Sequence, residues 1–115
     1  MRAIIINARD RTITETEIDG SLETLQQIVG GMIEPVSQGL DRNHHCYVNE
    51  EGLLEHPQHF FMFEGGHQPL AGNGVILAET DDGEEAPCTL SLAWVKERVK
   101  FMDVIAVRRW ARDHD

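Results

Sequence analysis

The chain is poor in aromatic residues, which make up 6% of its 115 positions, and poor in basic ones, with ten Lys and Arg against twenty Asp and Glu. A formal charge of −10 leaves too few cations for sequence-independent nucleic-acid binding over the whole surface, because affinity for phosphate comes largely from Lys and Arg displacing counterions. Any such contact would have to be local. The two cysteines, Cys46 and Cys88, lie far apart without a CxxC spacing, so they are expected to be reduced and to form no disulfide framework. Nowhere do about eighteen apolar residues run together, which excludes a spanning helix. The one apolar run near the N-terminus, Ala3 to Ile6, is closed by Asn7, Arg9 and Asp10 and is too short for a secretory signal. The expected location is the cytoplasm. A chain of this length supports one modest core, not a dinucleotide fold or a barrel.

What is present reads as a small α+β domain. Arg2 to Asn7 is rich in β-branched residues, and Thr12 to Ile18 alternates, so the two form an antiparallel hairpin. Ser21 is placed to cap a helix carrying Leu22, Leu25, Ile28 and Val29, ended by Gly30-Gly31. Met32 to Val36 reads as a strand whose Pro35 confines it to an edge or an end. After a polar loop, a short strand at Cys46-Tyr47-Val48 leads to Asn49, a cap for a helical turn with Glu50 and Glu51 at its start. Phe60 to Phe63 and Val75 to Ala78 read as buried strands, and Glu79 to Glu85 as an exposed acidic turn around Gly83. Ser91 caps a second helix, with Leu92, Val95, Val99 and Met102 on one stripe, which Val104 to Trp110 either prolongs or follows as a separate helix. The expected architecture is a mainly antiparallel sheet with two or three helices packed on one face. The four consecutive residues Phe60 to Phe63 require cover on both sides, from the helices on one side and from a returning segment or a second chain on the other.

Several of these pieces, in this order, resemble one family. They are Ala3-Ile4-Ile5-Ile6-Asn7, Thr12-Ile13-Thr14-Glu15, Leu25 to Glu34, Tyr47 to Leu53, and Pro69-Leu70-Ala71-Gly72-Asn73-Gly74-Val75-Ile76. Together they are similar to small uncharacterised proteins carried mostly by phages, plasmids and bacteria. The likeness covers residues 3 to 103, and its most specific piece is Leu-Ala-Gly-Asn-Gly-Val. Val99 to Met102 is similar to that family's closing helix. The resemblance implies a fold and a mobile-element setting, and no chemistry or site residues. Two stretches depart from the family pattern: His44 to Cys46 is richer in histidine, and the tail from Val104 to Asp115 extends beyond it. The chain accordingly divides into a domain over residues 1–103 and a basic, helical extension over residues 104–115.

Candidate sites are few. Five histidines fall between His44 and His67, with Cys46 beside two of them, the residue types of a zinc site. Their spacing is poor: His44 and His45 point apart on a strand, and Pro57 interrupts the pair His56 and His59. A loop of ordinary surface histidines is the simpler expectation. Cys46 beside His45 suggests a thiol nucleophile, yet neighbours on a strand face opposite sides, so no catalytic, metal or cofactor-binding residue is assigned. Gly72-Asn73-Gly74 precedes a strand instead of following one and opening a helix, so it reads as a turn and a close backbone approach, not a phosphate loop.

Charge is the remaining signal. Residues 13–95 carry fifteen acidic residues and one basic one, Arg42, whereas residues 96–112 carry six basic and two acidic. The candidate interaction surface lies in the basic tail, at Arg108, Arg109, Trp110 and Arg112, because Trp and Arg are the types enriched in interface hot spots. The expected function is that of a non-enzymatic accessory protein of a mobile element, binding a protein partner, with its acidic surface suited to inhibiting a host defence system by charge mimicry. A homo-oligomer is compatible with this reading. The alternative is a small metal-binding protein or enzyme built on His44 to His67.

Overall fold

The computed structural model describes residues 1–54 and 59–114. The expectations placed on His56, Pro57 and Gln58 therefore lie outside the described residues. In chain order the elements are β1 (Arg2–Asn7), β2 (Thr12–Glu17), α1 (Leu22–Val29), β3 (Ile33–Val36), β4 (His44–Asn49), a 3-10 turn (Gly52–Leu54), β5 (His59–Phe63), β6 (Leu70–Ala71), β7 (Gly74–Glu79), β8 (Glu85–Ala86), α2 (Leu92–Arg98), β9 (Val99–Asp103) and α3 (Val104–Asp113). The protein is α+β, and all of its strand pairs are antiparallel. Among the described residues, no helix is long and apolar enough to cross a membrane.

The strands form two sheets. The larger has the order β2-β1-β7-β4-β3, with β8 paired to the end of β7, and the smaller has the order β6-β5-β9. Central β7 is buried from Gly74 to Ala78, which explains its unbroken apolar sequence: both faces of the large sheet are covered. Pro35 sits on edge strand β3 as expected, where its missing N–H costs no ladder bond.

Alternation along the strands sends side chains to two cores. Ile4, Ile6, Cys46, Val48 and Ile76 pack against Phe61 and Phe63 of the small sheet and Val95 of α2. Ala3, Tyr47, Val75 and Leu77 pack against Leu25 of α1, with Ile5 and Ile28 alongside. The helices therefore do not share one face: α1 covers one side of the large sheet, while α2 and the small sheet cover the other. The reason is that β1 and β7 are apolar at both odd and even positions.

Local signals account for the helix ends. Ser21 accepts from Thr24 N at the start of α1, and Gly30 closes it at φ +85°, the left-handed conformation that glycine adopts without strain. Ser91 caps α2 in the same way. The long helical stripe through Val99 and Met102 is overturned, and with it the family-derived closing helix at Val99 to Met102. Helix α2 ends at Arg98, and Val99 begins β9, which pairs with β5 in the register Phe60↔Met102, Phe61↔Phe101 and Phe63↔Val99. Val99 and Phe101 favour a pleated surface, and as a strand they join the core that holds Phe61 and Phe63.

A third cluster explains the run Phe60 to Phe63. Phe61 and Phe63 face the large sheet, and Phe60, with Ala71 and Met102, faces Val104, Val107 and Trp110 of α3. Both sides are covered, as the sequence requires. The covering elements are the large sheet with α2 on one side and, on the other, the returning segment α3.

Candidate interaction surfaces

The Gly72-Asn73-Gly74 stretch is structural. Gly72 turns at φ +79°, and a Cβ on Gly74 would lie 2.6 Å from Cys46 Sγ and 2.8 Å from Phe61 Cζ. The glycine thus permits the contact between β7, β4 and the small sheet. Cys46 and Cys88 are free and buried. Burial pushes the Cys46 thiol up, and burial pushes Cys88 up as well, against the opposing effects of the Leu90 amide and Arg2. Both are held as neutral thiols, unlike the thiolate that nucleophilic chemistry needs.

The histidines of β4 are not the surface residues that the sequence suggests: His44 is 4% exposed and His45 8%. Burial follows from β4 lying between β3 and β7. The His44 ring is tied at both nitrogens. Nδ1 lies 2.8 Å from Asp41 Oδ1, and Nε2 accepts from the Thr89 amide at 3.1 Å, so the ring donates to Asp41 from Nδ1. Burial alone would raise the Asp41 carboxyl. The bonds from the His44 ring N–H and from the Asn43 amide outweigh it and hold the carboxyl below its usual range.

His45 points to the other face of β4, with Tyr47. The two rings meet edge to face at 4.6 Å, and two carboxylates of the adjacent hairpin flank the imidazole. Nδ1 lies 3.9 Å from Glu79 Oε2, and Nε2 lies 3.4 Å from Glu85 Oε2. The Tyr47 hydroxyl donates to Glu85 Oε1. Burial raises the Tyr47 phenol, and the bond to Glu85 and the charges of Glu85 and Glu79 raise it further, so Tyr47 stays a neutral donor. This four-residue cluster is absent from the sequence reading. Its trace in the sequence is the alternation of His45 and Tyr47 on one strand face and the placement of Glu79 and Glu85 on either side of the Gly83 turn. Beyond it the turn exposes Asp81, Asp82 and Glu84, closed by Thr80 N to Glu84 O and Gly83 N to Thr80 O, both at 2.9 Å. Among the described residues there is no group of three or more His, Cys, Asp or Glu side chains arranged to hold a metal ion; His59 and His67 are exposed and lie outside the His45 cluster.

Helix α3 is capped by Asp103, which accepts from Ala106 N. The structure splits the four residues of the tail. Trp110 faces inward with Val104 and Val107 onto Phe60 and Met102, and stacks on His114 at 4.4 Å. Ala111, one helical turn beyond Val107, is exposed. Arg108, Arg109 and Arg112 are exposed on the outer side, and Arg108 and Arg112 line, with Ile105 and Ala111, a shallow depression of about 470 Å³. Ile105 is 63% exposed. Among the described residues, the ion pairs use Met1, Arg2, Arg9, Arg98, His44 and His45 and none of these three arginines.

No curated protein and no solved structure matches this chain. Residues 1–103 match the model of a domain of unknown function, DUF3846; α3 begins at the next residue. The chain belongs to the DUF3846 family.

Proposed function

We propose that this protein is a non-enzymatic accessory protein of a mobile genetic element, acting in the cytoplasm by binding a protein partner through its charged surfaces. The observation that carries the reading is the segregation of charge over the fold. Exposed carboxylates run along β2, α1 and the β7–β8 hairpin, from Glu15 and Glu17 through Glu23 to Asp81, Asp82 and Glu84, while the three arginines of α3 stand outward and form no ion pair among the described residues. An array of fixed carboxylates competes for a surface built to hold nucleic acid, which supports inhibition of a host defence nuclease as the more specific form of the proposal. The anchoring of α3 through Trp110 supports a docking role for its outer face, because a preorganised surface loses less entropy on binding.

The alternative of metal binding or catalysis between His44 and His67 has less support. Both ring nitrogens of His44 are engaged by Asp41 and Thr89, and those of His45 are turned to two carboxylates. The test is affinity capture from the natural host, followed by titration of the purified partner with and without competing duplex DNA. The expected result is a partner whose binding weakens steeply with salt and is mutually exclusive with DNA. Binding indifferent to both salt and DNA would refute charge mimicry.

A further inference from the structure

Glu79 and Glu85 are direct cross-strand partners at the root of the β7–β8 hairpin. Like charges directly opposite each other destabilise a strand pair. Between the two carboxylates sits His45, its side chain 10% exposed, at 3.9 Å from one and 3.4 Å from the other. Among the described residues, the buried atoms His45 Nε2 and Glu85 Oε2 have no hydrogen-bond partner of normal geometry, and each lies beside the other at 3.4 Å. A neutral imidazole carries one N–H and leaves one nitrogen as an acceptor, whereas an imidazolium donates at both. Two ionised carboxylates placed at the two nitrogens of one ring are therefore matched by the protonated form alone.

We infer that the β7–β8 hairpin is a proton-operated latch, in which protonated His45 draws Glu79 and Glu85 together and holds the acidic turn 79–85 in one geometry. When the ring loses its proton, it keeps one N–H beside the Tyr47 hydroxyl but no charge, the two carboxylates face each other with no cation between them, and the hairpin loosens. The groups that face His45 are Tyr47 on its own strand, Glu79 from β7 and Glu85 from β8. Arg42, on the rim of the same concavity of about 420 Å³, is a guanidinium that stays charged throughout and contributes no pH dependence. His44 turns away to Asp41 and Thr89. The hairpin is suited to respond because β8 has two residues and pairs with β7 alone. The latch governs how Asp81, Asp82 and Glu84 are presented, so its biological use rests on the proposed role of the acidic surface, whereas its existence does not.

The test is amide hydrogen exchange by NMR on the full chain at about pH 5 and about pH 8, the range in which an unperturbed imidazole changes charge. The expected result, after correction for intrinsic exchange, is that protection of the Thr80 and Gly83 amides falls by about tenfold as the pH is raised. Its midpoint should coincide with the titration of the His45 ring signals. In His45→Gln the same amides should be weakly protected at both pH values, and in Glu85→Gln strongly protected at both, with the amides of Ile5 and Ile76 reporting an intact sheet. Equal protection at the two pH values in the wild type, or an unchanged fall in His45→Gln, overturns the latch. No partner enters this measurement, so its failure is distinct from a failure of partner binding.

Discussion

The β7–β8 hairpin and helix α3 both carry clustered surface charge, of opposite sign, and they are built in opposite ways. In the hairpin, part of the charge is woven into the fold: Glu79 and Glu85 meet His45 and Tyr47, while Asp81, Asp82 and Glu84 are carried outward. In α3 the inner face is structural, with Val104, Val107 and Trp110 on the small sheet, and the outer arginines are exposed and form no ion pair among the described residues. The hairpin thus couples its electrostatics to its conformation, whereas the helix separates the two. Substitution should divide stability from binding cleanly in α3 and entangle them in the hairpin.

The largest expected effect comes from removing the helix. Truncation after Asp103 uncovers Phe60, Ala71 and Met102, and should lower the unfolding free energy by about 3–6 kcal/mol, the value of burying two large apolar side chains. Urea denaturation followed by circular dichroism measures it. An unchanged midpoint would show that α3 stands outside the cooperative unit and would break the comparison at its root. Next in size is Gly74→Ala at the start of the strand that carries the hairpin. Its new methyl would meet Cys46 and Phe61, and the overpacking should cost about 1–3 kcal/mol. A substitution without effect would mean that β7 and the small sheet have room to move apart.

A smaller effect concerns the other root of β4. The Asp41 carboxyl is held below its usual range, so its contribution is present above the unfolded value of about 3.9 and is lost as pH falls through the lower folded value. Asp41→Asn should remove that dependence, flattening the acid limb of a stability-against-pH curve below about pH 4 and leaving the hairpin's response near neutrality in place. If Asp41→Asn abolished the neutral-range response instead, the two faces of β4 would be coupled. Least of all, replacing Arg108, Arg109 and Arg112 together by Ala should leave stability within about 0.5 kcal/mol per site, as for exposed positions without partners. A larger loss would mean that these arginines pair with the acidic body and that the helix is no freer than the hairpin.

Much of the fold is legible in the sequence because its signals are local. The Ser21 and Ser91 caps, the Gly30 stop, the alternating hairpin and the edge position of Pro35 each depend on a few neighbouring residues. The need to cover Phe60 to Phe63 on both sides is legible for the same reason. The end of α2 is not, because Val99 and Met102 satisfy a helical stripe, and only pairing with distant β5 turns them into a strand. Tertiary contacts override local periodicity there. The His45 cluster depends on the register of β4 against β7, with His45 opposite Leu77, and of β7 against β8. Composition shows five histidines in a window, and it took the strand order to bury two of them and give each a different set of partners.

The measurement that tests the central claim most directly is the affinity of a partner captured from the natural host for three forms of the protein. These are the wild type, Asp81→Asn with Asp82→Asn and Glu84→Gln, and Arg108→Ala with Arg109→Ala and Arg112→Ala. Binding through segregated charge predicts a loss of about tenfold or more, some 1.4 kcal/mol, in at least one charge variant, with both variants folded as the wild type. Equal affinity of all three forms would contradict it.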